Sequence, residues 1–380
     1  MTTFTRRLLN YWLAVVCLGV LVAILPPGGV SAWSWETGLR WLYVSLVAFF
    51  VANALMPAVI VLARRTGILD QPDARKIHLV PTPRLGGLAV FLAVSFAAWR
   101  SQASSPETST ILWASSIIFV MGVIDDMRGL SATVRLCGQV AASLVIISSG
   151  MTFAARFSPI VSGLVTLIWL VGVTNAFNFL DGIDGLAGGL GVVCSIFFMA
   201  IAWDLHQMPL ACLCAGLAGA CAGFLNYNWY PAKVFLGDSG STFIGFMLAS
   251  MAVCGGWATH NPIVGIGTPI LILGVPIFDM IYITLSRVRR GDVRTFKQWI
   301  DYVGKDHFHH RLLHMGLGMR EAALFILTVS MILGLAAWTM HYTRSTLGSV
   351  LLAAQAVLIF TVIVVLMLLG REIREDRPVS

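Results

Sequence analysis

The sequence predicts an all-α, polytopic membrane protein, and three observations carry that class. Of its 380 residues, 58% are hydrophobic and only 11% charged, whereas soluble domains carry charge on about 25%. The apolar residues gather into twelve stretches, approximately 8–26, 40–63, 85–99, 110–124, 134–150, 159–176, 186–203, 208–225, 240–258, 262–286, 322–341 and 346–369. Stretches of this kind cross a hydrocarbon core of about 30 Å as helices. The basic residues are one-sided. With the N-terminus inside, all but Arg40, Arg100, Arg156 and Arg344 of the 25 Lys and Arg fall in inside segments, as their retention on the cytoplasmic side requires. The net charge of +7 is then a topology signal, and nucleic acid is not an expected partner.

The first stretch follows Arg6 and Arg7 and precedes the small residues Val30-Ser31-Ala32, a pattern shared with cleavable signal peptides. Its length favours a retained helix, since signal cores run about 7–15 residues. Residues 1–39 are read as this extra helix, or signal peptide, with its outside loop; 40–370 as the membrane domain; and 371–380 as a cytoplasmic tail. All seven cysteines lie in apolar stretches without a C-x-x-C pair, so they read as small buried hydrophobes.

The outside loops are plain, while the inside loops collect carboxylates, histidines and glycines. The first carries Arg75, Lys76 and His78, then Pro81-Thr82-Pro83-Arg84-Leu85-Gly86-Gly87. Its prolines keep it non-helical, its bases suit phosphate, and its glycines let backbone approach closely. The second holds Asp125-Asp126 at the end of an apolar run. Adjacent like charges there call for a metal or a basic partner such as Arg128 or Arg135.

The third, Asn175-Ala176-Phe177-Asn178-Phe179-Leu180-Asp181-Gly182-Ile183-Asp184-Gly185, repeats a polar residue every three positions and ends in glycines that permit a break. Amide and carboxylate oxygens suit Mg2+, which keeps waters and substrate phosphates in its shell. In the fourth, Asn226 to Pro231 precede Phe235-Leu236-Gly237-Asp238-Ser239-Gly240-Ser241, small residues at a helix N-terminus where an anion binds. Asp238 adds a metal ligand, and Phe235 offers a ring for base stacking. The last loop contains Asp306-His307-Phe308-His309-His310-Arg311. Its adjacent histidines lack a structural zinc pattern and suit a diphosphate better. Asp279, inside an apolar stretch, is either a packing partner or a functional acid.

Oxygen ligands, basic groups, a stacking aromatic and a membrane location together point to phosphoryl transfer with one substrate in the bilayer. A lipid phosphate is already largely anionic at neutral pH, its second pKa being near 6. Bringing two polyanions together is therefore the task, rather than base catalysis.

In order, Asp125-Asp126, the Asn178–Gly185 run, Gly237 to Ser241 and His307 to Arg311 resemble the four signatures of the polyprenyl-phosphate N-acetylhexosamine-1-phosphate transferases. The likeness covers roughly residues 45–370, with the first helix added to the family's usual eleven. It implies attack by undecaprenyl phosphate on the β-phosphorus of a UDP-sugar, releasing UMP, at the inner membrane of a bacterium. It also implies Mg2+, with Mn2+ as a substitute, held by Asn178 and Asp238. Asp125 and Asp126 would serve the lipid phosphate and metal. Asp181 and Asp184 match residues needed for catalysis or nucleotide binding, with Gly182, Ile183, Asn228 and Phe235 near the uracil. His307, His309, His310 and Arg311 match the sugar and diphosphate segment, and Lys76, Arg84 and Arg135 are secondary phosphate candidates.

Three consecutive histidines mark the branch that uses UDP-MurNAc-pentapeptide. His-Phe-His-His favours the UDP-HexNAc branch instead, and most of all UDP-GlcNAc. Phe308, where Ile is commonest, leaves the sugar open, so a UDP-MurNAc-pentapeptide or 6-deoxy-HexNAc donor remains an alternative. A homo-oligomer is compatible with either. The rival class is a transporter, which suits many helices and Asp279 but not four polar cytoplasmic loops.

Overall fold

A computed structural model describes residues 3–26, 29–71, 80–153, 158–257, 262–295, 298, 307–343 and 345–375, and nearly all of them are helical. They divide into two compact units, Met1–Gly255 and Gly256–Ser380.

The first unit contains α1 (Thr3–Ile24), α2 (Val30–Glu36), α3 (Arg40–Thr66), α4 (Gly86–Ser101), α5 (Pro106–Arg128), α6 (Ala132–Ser148), α7 (Pro159–Leu180), α8 (Leu186–Asp204), α9 (Met208–Asn228) and α10 (Gly237–Cys254). A short antiparallel ribbon, β1 (Leu69–Asp70) and β2 (Thr82–Pro83), pairs Leu69 with Pro83 and Asp70 with Thr82. The ends of these helices are written locally. Ser105, Ser131 and Ser158 each accept a hydrogen bond from the backbone N–H three residues on, satisfying donors that a first helical turn leaves open. Gly67, at φ 75°, closes α3 in a left-handed turn.

Almost every side chain of α10 is buried, against α4, α5, α7 and α8. Inside a bilayer, helix association gains nothing from leaving water, so close backbone approach must supply the attraction. The contacts accordingly fall on small residues. A Cβ on Gly87 would run into the Gly240 backbone, one on Gly122 into Ser239, and one on Gly245 would lie 2.7 Å from Phe177 Cβ. Amides bridge other pairs: Asn226 Nδ2 donates to Asn53 Oδ1 at 2.9 Å, and Asn175 Nδ2 to Gln139 Oε1 at 2.7 Å. Each such bond is worth about 0.6 kcal/mol in a membrane.

Arg40, counted from sequence as a charge on the outside, opens α3. It is wholly buried, with Nε donating to the Ser101 carbonyl at 2.7 Å, Nη1 to Ser34 Oγ at 2.9 Å and Nη2 to the Arg100 carbonyl at 3.0 Å. Arg100 Nη2 in turn donates to the Leu25 carbonyl at 2.7 Å. Two arginines that read as outside charge therefore fasten α2 and the residue that follows α1 to α3 and α4.

The second unit contains α11 (Pro262–Ile272), α12 (Gly274–Arg290), α13 (Phe308–His314), α14 (Met319–Tyr342) and α15 (Thr346–Glu375). The stretch 262–286, expected as one helix, is two, bent by 80° across Leu273. Pro269, Gly274 and Pro276 flank the bend, and proline removes the donor that would continue the ladder. α14 packs against α11, α12 and α13. An aromatic cluster sits in this unit: Phe278 stacks on Phe360 at 4.2 Å and meets Phe308 edge-on at 5.9 Å, and Phe308 meets Phe325 at 6.3 Å.

Seven of the described helices are long and apolar enough to cross a membrane, or eight with the bent pair as one span. The all-α polytopic class holds, and the count of twelve is not reached. α4 and α6 have only 16 and 17 residues, and α10 opens on Gly237-Asp238-Ser239. A helix wrapped by neighbours is not held to the length that lipid contact demands.

Candidate active site

The polar ends of α5, α7 and α10 meet the loop that precedes α4. Backbone bonds staple that loop to the one entering α10: Phe235 N–H donates to the Pro83 carbonyl at 2.8 Å, Gly86 N–H to the Phe235 carbonyl and Gly87 N–H to the Leu236 carbonyl, both at 2.9 Å. Arg84 N–H is held by the Ile68 carbonyl at 3.2 Å, which aims its side chain at the first turn of α10.

That turn is capped from α5. The Asp126 side chain has no exposed surface; Oδ1 accepts from Asp238 N–H at 2.9 Å and Oδ2 from Ser239 N–H at 3.0 Å. A carboxylate suits the positive end of a helix and its open donors. Gly237, at φ 76°, makes the approach possible, since a Cβ there would lie 2.6 Å from Asp126 Oδ2. Arg84 bridges two acids, with Nε 3.2 Å from Asp126 Oδ1 and Nη2 donating to Asp238 Oδ2 at 2.6 Å. Asn178 Nδ2 donates to Asp238 Oδ1 at 2.8 Å and to Ser241 Oγ at 2.9 Å.

Asp181 follows α7 into the same cluster. Burial, then the charge of Asp238, pushes its carboxyl well above the ordinary carboxylate value, against the opposing pull of Arg84. Burial works against the charge of Arg84, but Asp238 and Asp126 outweigh it and raise its pKa. Three acids thus share one guanidinium. The Asp181 carboxylate takes no hydrogen bond from a described residue, so the cluster favours an added cation. No three His, Cys, Asp or Glu among the described residues form a ready metal cage. Oxygen ligands short of a complete set are what Mg2+ uses when substrate phosphates fill its shell, and Asp238, Asn178 and Asp181 fit that requirement.

The other expected residues have different neighbours. Asp125 turns into the α5–α6 connection, accepting from Leu130 N–H at 2.6 Å and pairing with Arg135 Nη1 at 3.3 Å. Asp184 Oδ2 accepts from Ala232 N–H at 2.8 Å. Asn228 is buried, its Oδ1 accepting from Gly185 N–H and its Nδ2 donating to the Val234 carbonyl, both at 2.9 Å; it ties two loops together. Ile183 is buried, Gly182 is exposed and Phe235 half-buried. Lys76, with Arg75 and His78, lies outside the described residues, as does Asp306.

The histidine segment belongs to the second unit. His309 is buried and neither ring nitrogen has a hydrogen-bond partner among the described residues. Burial, then the neighbouring charges of His310 and His307, holds its pKa well below 6.5. The His310 ring lies 4.2 Å from that of His309, and Arg311 Nη1 donates to Tyr282 Oη at 3.1 Å. Phe308, whose departure from the commoner Ile left the sugar open, is fully buried in the aromatic cluster, so its identity answers to packing. Tyr282 was not singled out by sequence, Ser241 stood there only as part of the glycine-rich motif, and Asp279 was read as either a packing partner or a functional acid.

The sequence profile of glycosyl transferase family 4 matches residues 109–256, which include the Asp126, Asn178 and Asp238 positions. A probable undecaprenyl-phosphate N-acetylglucosaminyl 1-phosphate transferase of Bacillus subtilis is 32% identical over 80% of this chain and 85% of its own length. A decaprenyl-phosphate N-acetylglucosaminephosphotransferase of Mycobacterium tuberculosis is 32% identical over 85% of this chain and 89% of its own. The undecaprenyl-phosphate alpha-N-acetylglucosaminyl 1-phosphate transferase of Escherichia coli is 28% identical over 75% and 78%.

Proposed function

The chain belongs to glycosyl transferase family 4, and from that premise we propose that it transfers N-acetylglucosamine 1-phosphate from UDP-GlcNAc to undecaprenyl phosphate. UMP is released and a lipid-linked diphosphate sugar starts a cell-envelope glycan, at the cytoplasmic face of a bacterial inner membrane. The observation that carries the reading is the convergence of Asp126, Asp181, Asp238, Asn178 and Arg84 at one end of the first unit. The three relatives are all named as transferases of N-acetylglucosamine phosphate, which favours that sugar over the pentapeptide and 6-deoxy alternatives.

In this reading Asp238, Asn178 and Asp181 hold Mg2+, which when bound neutralises the diphosphate and stabilises charge on the departing UMP. Arg84 donates to a diphosphate oxygen. An oxygen of the lipid phosphate forms the new bond to the β-phosphorus as the bond to the UMP oxygen breaks, and no proton need be removed. Asp126 keeps the first turn of α10 in place, and Asp125 with Arg135 does the same for the α5–α6 turn. Gly182, Ile183 and Phe235 seat the uracil, between loops that Asn228 and Asp184 hold. His307, His309, His310 and Arg311 receive the sugar phosphate.

The test supplies the purified protein with Mg2+, undecaprenyl phosphate and a panel of UDP-sugars, and measures UMP. Release is expected with UDP-GlcNAc; no release with any UDP-HexNAc would overturn the proposal.

A further inference from the structure

Asp279 lies on α12, six residues past Leu273 at the bend, with 1% of its side chain exposed. Both of its oxygens are engaged. Oδ2 is 2.8 Å from His307 Nδ1, and Oδ1 accepts from Phe308 N–H at 2.7 Å. A carboxylate can only accept, so Nδ1 carries hydrogen and Nε2 is the nitrogen with the lone pair in the neutral ring. One turn along α12, Tyr282 Oη accepts from Arg311 Nη1 at 3.1 Å and the Tyr282 ring lies 4.8 Å beneath the guanidinium. Ser286 Oγ is 3.5 Å from Arg311 Nη2. Positions 279, 282 and 286 share one face of a helix, and this face meets the His307–Arg311 segment at its first and last residues.

We infer that Asp279 is a positioning residue for the transfer reaction. It fixes the ring orientation and tautomer of His307 and starts α13 at the residue where the basic segment begins. The inference rests on the reading of His307 as a donor contact. A capping role alone would use Oδ1 and would be indifferent to the His307 ring, whereas the second oxygen is spent on that ring. An oriented imidazole backed by a carboxylate is the arrangement by which buried acids set histidine chemistry without touching substrate.

Asp279→Asn separates the two roles, because its amide oxygen still accepts from Phe308 N–H while its NH2 faces Nδ1 and favours the other tautomer. The expected result is a fall in kcat/KM for UDP-GlcNAc of about 10–100-fold, with KM for undecaprenyl phosphate unchanged and melting in detergent preserved. In a His307→Gln background the same substitution is expected to cost nothing further, since coupled residues lose their shared effect once. Full activity of Asp279→Asn overturns the inference. An equal loss in both backgrounds also overturns it and leaves Asp279 a helix cap. Should Asp279→Asn fail to fold, Asp279→Glu is measured in the same two backgrounds against the same criteria. Full activity of His307→Gln alone removes the donor-contact reading itself, an outcome distinct from failure of the pairing.

Discussion

Three donors converge on the unexposed Asp126 carboxylate, two of them backbone N–H groups that open α10, so its removal strands buried partners as well as losing bonds. Asp126→Ala is expected to cost about 2–4 kcal/mol, read as a lower melting temperature in detergent. Asp126→Asn, which keeps one acceptor, should cost less. Asp238→Asn tests chemistry rather than scaffold: turnover is expected to fall about 10²–10³-fold and the Mg2+ needed for half-activity to rise, with melting little changed. Near-wild-type turnover at limiting Mg2+ would refute its assignment as a ligand. His309 supplies a pH dependence. Its folded pKa is depressed below 6.5, so the unfolded chain binds the extra proton first as pH falls. Its contribution to stability is therefore full above pH 6.5 and is lost as pH drops from there through the folded value. Melting scans from neutral to acid pH should show that decline, and His309→Gln should flatten it. The acids themselves were legible because charge is rare in this chain. Their partners were not, since Arg84 and Asp238 stand 154 residues apart, and nothing local in sequence says that Asn228 spends both ends of its amide on backbone.

Helix positions follow the same division between local signal and distant contact. The caps at Ser105, Ser131 and Ser158, and the glycine that ends α3, are written within a turn of where they act. The bend across Leu273 is also carried by local residues, but Pro269 and Pro276 lie in an unbroken apolar run, and hydropathy alone reads such a run as one span. The crossing of α4 on α10 depends on two glycines far apart in the chain. Gly87→Ala would place a methyl group on the Gly240 backbone, where no side chain can rotate aside. A cost of about 1–3 kcal/mol is expected, together with lost transferase activity, because the displaced end of α10 is the end that bears Asp238. Leu88→Ala, one position on, serves as a control for lost side-chain volume and should retain more activity.

Across the first unit, chemistry and membrane orientation share one axis. The ends of α3, α5 and α6 nearest Asp126 and Asp238 carry Arg64, Arg65, Arg128 and Arg135, with Arg84 in the adjoining loop. The opposite ends of α4, α5 and α8, together with α2, expose Trp33, Trp35, Trp99, Trp113 and Trp203. Tryptophan gathers where hydrocarbon meets headgroup, and Lys and Arg stay on the cytoplasmic side. Charge alone carries the expected orientation, whereas hydropathy alone does not carry the number of spans: a helix such as α10 is as apolar as its neighbours demand without having to face lipid at both ends. Under the proposed orientation the acid cluster would lie where a water-soluble nucleotide sugar is made, and a lipid phosphate headgroup would meet it at the same boundary. Reporter fusions test the axis directly. Alkaline phosphatase joined after Gln102, at the far end of α4, should be active, because that enzyme folds only outside the cytoplasm. A green fluorescent protein joined after Gly129, past the arginine that ends α5, should be fluorescent. The inverted pattern would put the acid cluster on the side that lacks nucleotide sugars, and the proposed donor would have no access to it.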